Sequence, residues 1–226
     1  MKSGTPLQGA REILARDVLG LEEIRSVFGA VEGIDPTAAT TVPFSTAELE
    51  LAKRAGEFLV LRAARASGEP LTLLRLIRQF PDAFDRSFLD KMGYQLKSEW
   101  GIALEPLAAV DTCRPQWALV RKHIWEETQN LAYEEQALRL QAYGAQHAGR
   151  GMVRRRTAVE IAFDVIAYHR VRGVRLLHDS WDWSSSHTVD GGYLNLGHFD
   201  EKGMQVFAYS PGVRHGKLGV CPNRDP

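Results

Sequence analysis

The chain predicts an α+β fold, helix-rich through its N-terminal two thirds and ending in short antiparallel strands. Three observations carry this. Apolar residues recur at helical spacing between residues 8 and 172, twice behind a capping box, Ser45 with Glu48 and Thr157 with Glu160. From Trp181 to Cys221 the pattern changes to short runs cut by Gly191, Gly197, Gly203, Pro211 and Gly219. No internal repeat or low-complexity segment intervenes, so helices precede strands in the order of an α+β domain.

Taken in order, residues 8–28 space Ile13, Leu14, Leu21, Ile24 and Val27 as one helix, with Gly29 as its stop. Residues 30–43, with Gly33, Pro36 and Pro43 among threonines, read as an irregular linker. Residues 1–43 are therefore expected as a helical extension and linker, packed on a partner subunit or lying on its own domain. Homo-oligomerisation stays open. A domain over 44–226 begins with the Ser45 capping box and a helix carrying Leu49 and Leu51, ended by Gly56. Glu57–Arg62 is a first strand, and Gly68-Glu69-Pro70 turns the chain into a helix over Leu71–Phe80 with Leu73, Leu74, Ile77 and Phe80 buried. Residues 81–114 are apolar but aperiodic, with Phe84, Phe88, Leu89, Tyr94, Trp100 and Leu104. Gln116–Val120 is a second strand. Residues 125–147 form a charged helix with Leu131, Leu138 and Tyr143 toward one side. The clearest helix, Thr157–Arg172, buries Val159, Phe163, Ile166 and Ala167 and ends at Gly173.

Charge and composition exclude several classes of function. Twenty-eight Lys and Arg balance twenty-eight Asp and Glu, so no overall field favours nucleic acid or an anionic membrane. The one basic cluster, Arg150, Arg154, Arg155 and Arg156, lacks interleaved aromatics, and a nucleic-acid role for Arg150–Arg156 is a disfavoured alternative. No apolar run approaches the roughly 20 residues of a membrane span. The start, MKSGTPLQGAREIL, lacks the apolar core of a signal peptide, which makes a cytoplasmic location the default. Cys113 and Cys221 are far apart and read as partly buried thiols of a reducing compartment.

Between Ser180 and Cys221 two kinds of residue alternate. Trp181, Trp183, Leu194, Leu196, Phe199, Val206, Leu218 and Val220 make an apolar frame. Between them stand side chains with no common chemistry, among them His187, Thr188, Tyr193, Asn195, His198, Gln205, Phe207, Ala208, Ser210, Val213, His215 and Lys217. In Tyr193-Leu194-Asn195-Leu196 the leucines face a core while Tyr193 and Asn195 face outward. A bulge at Gly197 then puts Phe199 inside and His198 outside. So mixed an outward set suits a contact surface better than a catalytic centre. Seven histidines show no HxxxH or HxH spacing, so no metal site is expected. Ser184, Ser185 or Ser186 with His187 and Asp190 would be a nucleophile–base set only by adjacency in sequence, which is poor evidence for a triad. No nucleophile elbow or phosphate-binding loop is present. No catalytic residue and no cofactor is expected.

The frame Trp183-Ser184-Ser185-Ser186, Asp190-Gly191, Leu196-Gly197-x-Phe199, Gly203-x-x-Val206, Tyr209-x-Pro211-x-x-Arg214 and Leu218-Gly219-Val220 resembles the variable region of target proteins of diversity-generating retroelements. These are similar to C-type lectins and to the formylglycine-generating enzyme fold. The likeness is most specific over residues 181–224, weaker from Ser45 to Arg172 and absent before about residue 40. It implies a C-type-lectin-like domain with a variable region over about 181–221, and a strand at Phe58–Leu61 beside one at Leu218–Cys221. Rewriting by adenine-specific mutagenesis would fall on Thr188, Asn195, His198, Phe207, Ala208, Ser210, Gly212, Val213, His215 and Gly216. Tyr209 stands where the family has Trp, and Gln205 and Lys217 are not residue types reached from AAC or AAT codons.

The resemblance thus implies a non-catalytic display protein that binds a protein or other macromolecule through Thr188, Tyr193, Asn195, His198, Gln205, Phe207, Ala208, Tyr209, Ser210, Val213, His215 and Lys217. The alternatives are an enzyme on the related formylglycine-generating fold, which would need reactive cysteines, and the nucleic-acid accessory.

Overall fold

A computed structural model describes residues 4–86, 101–146 and 152–226. It is a mixed α+β structure, 41% helical and 27% strand, so the predicted class holds at that level. Phe88, Leu89, Tyr94, Trp100 and Arg150 lie outside the described residues.

Residues 8–28, expected as one helix, form two. A short strand β1 (Thr5–Pro6) leads into α1 (Leu7–Leu14), which stops where Ala15 turns left-handed, φ 52°. Val18–Leu19 (β2) is then recruited as a strand, and α2 (Leu21–Phe28) starts behind Gly20, whose N–H donates to Glu23 Oε2 at 2.9 Å. Helical periodicity loses here because sheet pairing with a buried partner satisfies the backbone just as well. The supposed linker holds β3 (Val31–Glu32) and β4 (Thr41–Val42), the latter paired with β1. The segment expected as an extension is built into the main core. Leu19, Ile24 and Phe28 are buried there, and Phe28 stacks on Phe163 at 4.3 Å.

The Ser45 capping box opens α3 (Thr46–Arg54) as predicted, Glu48 accepting from the Ser45 N–H at 2.8 Å. Then follow β5 (Glu57–Leu61), a hairpin of β6 (Arg65–Ala66) and β7 (Glu69–Pro70), and α4 (Leu73–Gln79). After α5 (Pro106–Val110) come β8 (Trp117–Arg121) and α6 (Tyr133–Gln146). In α6 the buried residues are Tyr133, Gln136, Leu140 and Tyr143, whereas Leu138, expected on that side, is exposed. Strand β9 (Met152–Arg154) precedes α7 (Ala158–Arg172), which is capped by Thr157 with Glu160 and ended by Gly173 at φ 70°. The C-terminal part is β10 (Trp181–His187), β11 (Tyr193–Asp200), β12 (Gly203–Tyr209), β13 (Leu218–Gly219) and β14 (Asn223–Asp225).

Two sheets sandwich α7. The central sheet runs β2-β5-β8-β14-β9, and the C-terminal sheet runs β12-β11-β10-β13. One face of the central sheet, with Leu59, Leu61 and Leu119, packs on Ala10 and Leu14 of α1 and Leu49 and Ala52 of α3. Its other face, with Phe58, Val60, Ala118 and Val120, shares a core with α7 and with Leu194, Leu196, Met204 and Val206 of the C-terminal sheet. The sequence reads α7 as a striped helix, yet all eleven residues from Ala158 to Tyr168 are buried, because sheets cover it on both sides.

The strand pairing differs from that implied by the resemblance. Phe58–Leu61 does not lie beside Leu218–Cys221. β8 is inserted next to β5, the strand that returns to the central sheet is β14, between β8 and β9, and Leu218–Gly219 pairs in parallel with β10.

Candidate functional site

Between the two sheets, α7 organises a network of buried ions. Arg62 places two N–H groups on Asp164 at 2.9 and 2.6 Å, donates to Asn223 Oδ1 and stands 3.2 Å from Glu160. Arg156 bridges Asp164 and Asp182, each at 2.8 Å, while Asp182 Oδ1 accepts the N–H of Cys221. Arg154 is bidentate to Glu160 and also holds Asp225. Burial alone would raise the Glu160 carboxyl, but Arg62 and Arg154 outweigh it and hold it at about 2. Arg155 is buried with uncharged partners: Gln136 Oε1, the carbonyls of Trp183 and Tyr133, and the Tyr133 ring 3.9 Å away. So the described part of the basic cluster faces inward. Arg154, Arg155 and Arg156 are committed to the interior and offer no row of cations to phosphates.

The thiols are not paired for chemistry. Cys113 and Cys221 are free and buried, and burial pushes both well above the usual thiol range. The serine run is structural too. Ser184 and Ser186 belong to a bulge in β10, where the Ser184 hydroxyl donates to the Leu194 carbonyl and Ser186 Oγ accepts the Ala158 N–H at the start of α7. Among the described residues, no group of three or more His, Cys, Asp or Glu could hold a metal ion.

The outward face of the C-terminal sheet carries a different chemistry. Register places Trp181, Gly197 and Gln205 in one row, Trp183, Asn195 and Phe207 in the next, and His187, Tyr193 and Tyr209 in the third. Trp181 is the centre of an aromatic cluster. His198 stacks on it at 5.1 Å, while Phe207 at 6.0 Å and His215 at 5.7 Å meet it edge-on. Phe207 adjoins Tyr209 at 5.6 Å, and Tyr193 stacks on Tyr133 at 3.7 Å with His187 against it. The predicted bulge is present. Register shifts after Gly197, where a Cβ would fall 2.0 Å from the Ser180 carbonyl, and His198 takes φ 49° as its N–H donates to that same carbonyl. Phe199 therefore turns inward.

This face is partly roofed, which local sequence cannot reveal. Tyr133 at the start of α6 and the loop over residues 210–217 close on it, joined by hydrogen bonds from the Tyr133 N–H to Pro211 O and from the Asn130 N–H to His215 O. As a result the predicted contact residues divide. Ser210, His215 and Lys217 are exposed, and Tyr193, His198, Gln205, Tyr209 and Val213 are half-buried. Asn195, Thr188 and Phe207 are buried, contrary to the expectation that they stand outward. Thr188 is folded into a tight turn, its N–H on Gly192 O and its hydroxyl on Asp190. Ala208 pairs with Leu194 and packs against the main core, so it lies on the wrong face for display.

Two residues of the face escape a reading by pattern. Trp181 reads as frame yet sits at the centre of the ring cluster, and Tyr133 comes from a helix some fifty residues upstream with no local signal of its destination. The face also holds polar atoms without partners: both amide atoms of Asn195, the indole nitrogens of Trp181 and Trp183, and Nδ1 of His198. No protein-family model, curated protein or solved structure matches the chain.

Proposed function

We propose that the protein is a non-catalytic ligand-binding protein of C-type-lectin-like architecture, whose C-terminal face is diversified by a retroelement and binds a protein or other macromolecular partner. The observation that carries this reading is the division of the C-terminal sheet. Leu194, Leu196, Met204 and Val206 anchor one side in the core shared with α7. The other side gathers Trp181, His198, Phe207, Tyr209 and His215, a ring-rich surface with adaptable polar neighbours. Such a division lets contact residues change while the core stays constant. The buried, high-pKa thiols count against the formylglycine-generating alternative, and the inward-facing Arg154–Arg156 count against the nucleic-acid alternative. No described helix is long and apolar enough to cross a membrane.

The test is at the level of DNA. The reading expects a near-copy of the 3′ end of the gene beside a reverse-transcriptase gene, differing at adenines that map to the codons of His198, Ser210, Val213 and His215. A locus with neither copy nor reverse transcriptase overturns diversification.

A further inference from the structure

We infer that Asn195 is a latent recognition group for a planar amide, the peptide group or side-chain carboxamide of a protein ligand, and the inference rests on the outer face being the binding face. Asn195 has no exposed surface, yet neither Nδ2 nor Oδ1 has a hydrogen-bond partner. Burying an amide unpaired is costly, and native interiors seldom tolerate it. The atoms it lacks are shared by its surroundings. Trp183, its register partner on β10, is fully buried with a free indole N–H, and Trp181 on the next row of the same strand also has one. Phe207, its register partner on β12, meets Trp181 edge-to-face.

The inventory selects the ligand chemistry. The unpartnered atoms of these neighbouring residues are two indole N–H groups, the Asn195 amide N–H groups and one carbonyl oxygen, so a complementary group accepts strongly and donates once. A secondary amide does both, and it is flat enough to lie between aromatic rings. A carboxylate accepts hydrogen bonds but brings no N–H for the Asn195 carbonyl, which would stay unpaired. A sugar hydroxyl matches the bonds but not the flat ring-lined geometry. Entry requires the Phe207 ring to move off Trp181 and Tyr209.

The experiment titrates the ¹⁵N-labelled whole chain with N-methylacetamide, in parallel with acetate and with methyl glucoside, following indole Nε1–H and side-chain Nδ2–H signals. The expected result is saturable shifts of the Trp181, Trp183 and Asn195 signals with N-methylacetamide alone. Asn195→Leu, which removes both amide atoms while keeping the branched outline of the side chain, should abolish the indole shifts and raise Tm by about 2–4 °C. Absence of shifts in the wild-type chain overturns the inference, as do equal shifts with acetate or glucoside or an undiminished response in Asn195→Leu. These outcomes are independent of the gene-locus test, so a diversified display face with an inert Asn195 is distinguishable from a face that binds nothing.

Discussion

The interior around α7 and the outer face of the C-terminal sheet both take polar groups out of water, and they treat them in opposite ways. Around α7 the carboxylates of Asp164, Asp182 and Glu160 each meet at least one guanidinium, and Asp164 and Glu160 each meet two. On the outer face Asn195, Trp181 and Trp183 carry hydrogen-bonding atoms that meet nothing. These ion pairs tie together β5, α7, β10 and β14, because a guanidinium and a carboxylate bond in few geometries, even though Nη1 of Arg62 meets Glu160 without closing a hydrogen bond. Unsatisfied neutral groups lock nothing and leave bonding capacity in reserve. Rigidity is concentrated behind the face, and chemical appetite at it.

The largest blow to this contrast is Asp164→Ala. It strips Arg62 and Arg156 of their shared carboxylate, leaves each with a single carboxylate partner and buried N–H groups unpaired, and should cost about 3 kcal/mol in urea denaturation. Acid should act through Glu160. Its folded pKa of about 2 lies below the unfolded 4.5, so its contribution is present above about pH 4.5 and disappears as pH falls towards 2. That difference corresponds to about 3 kcal/mol, and denaturation midpoints measured between pH 6 and 2.5 should show most of the loss, with Glu160→Gln flattening the profile. Phe207→Ser should cost about 2 kcal/mol, because the ring is nearly buried against Trp181 and Tyr209. A display residue in full solvent would cost almost nothing, so melting of this variant separates a roofed face from an open one. At the small end, Ser210→Ala and Lys217→Ala should shift stability by under about 0.5 kcal/mol while altering partner binding.

What could be read from the chain beforehand follows how local each signal is. The two capping boxes, the Gly173 cap and the bulge at Gly197 need only three or four neighbouring residues to specify them, and all are where the spacing put them. The Val18–Leu19 strand hid inside a helical pattern because its reason for existing, β5, is some forty residues away. Arg154, Arg155 and Arg156 look like a surface patch in sequence. Glu160 and Asp164 stand close by in the sequence, but Asp182 and Asp225, which complete the pairing of Arg156 and Arg154, arrive much later. The Tyr133 and Gln136 that hold Arg155 come earlier. The same holds for Asn195. Alternation gave its face correctly, but exposure depends on Tyr133 and the 210–217 loop, which only the tertiary structure brings over it.

The position of β14 bears on how the protein is made. Residues 223–225 sit between β8 and β9, so they complete a sheet whose other strands have all been synthesised before them. A ribosome that has not yet delivered them holds a nascent chain with two unpaired strand edges and with Arg62 and Arg154 short of the Asn223 and Asp225 side chains. Closure of the central sheet therefore waits on residues 223–225. A chain lacking residues 223–225 would leave the facing edges of β8 and β9 unpaired and should be more sensitive to proteolysis.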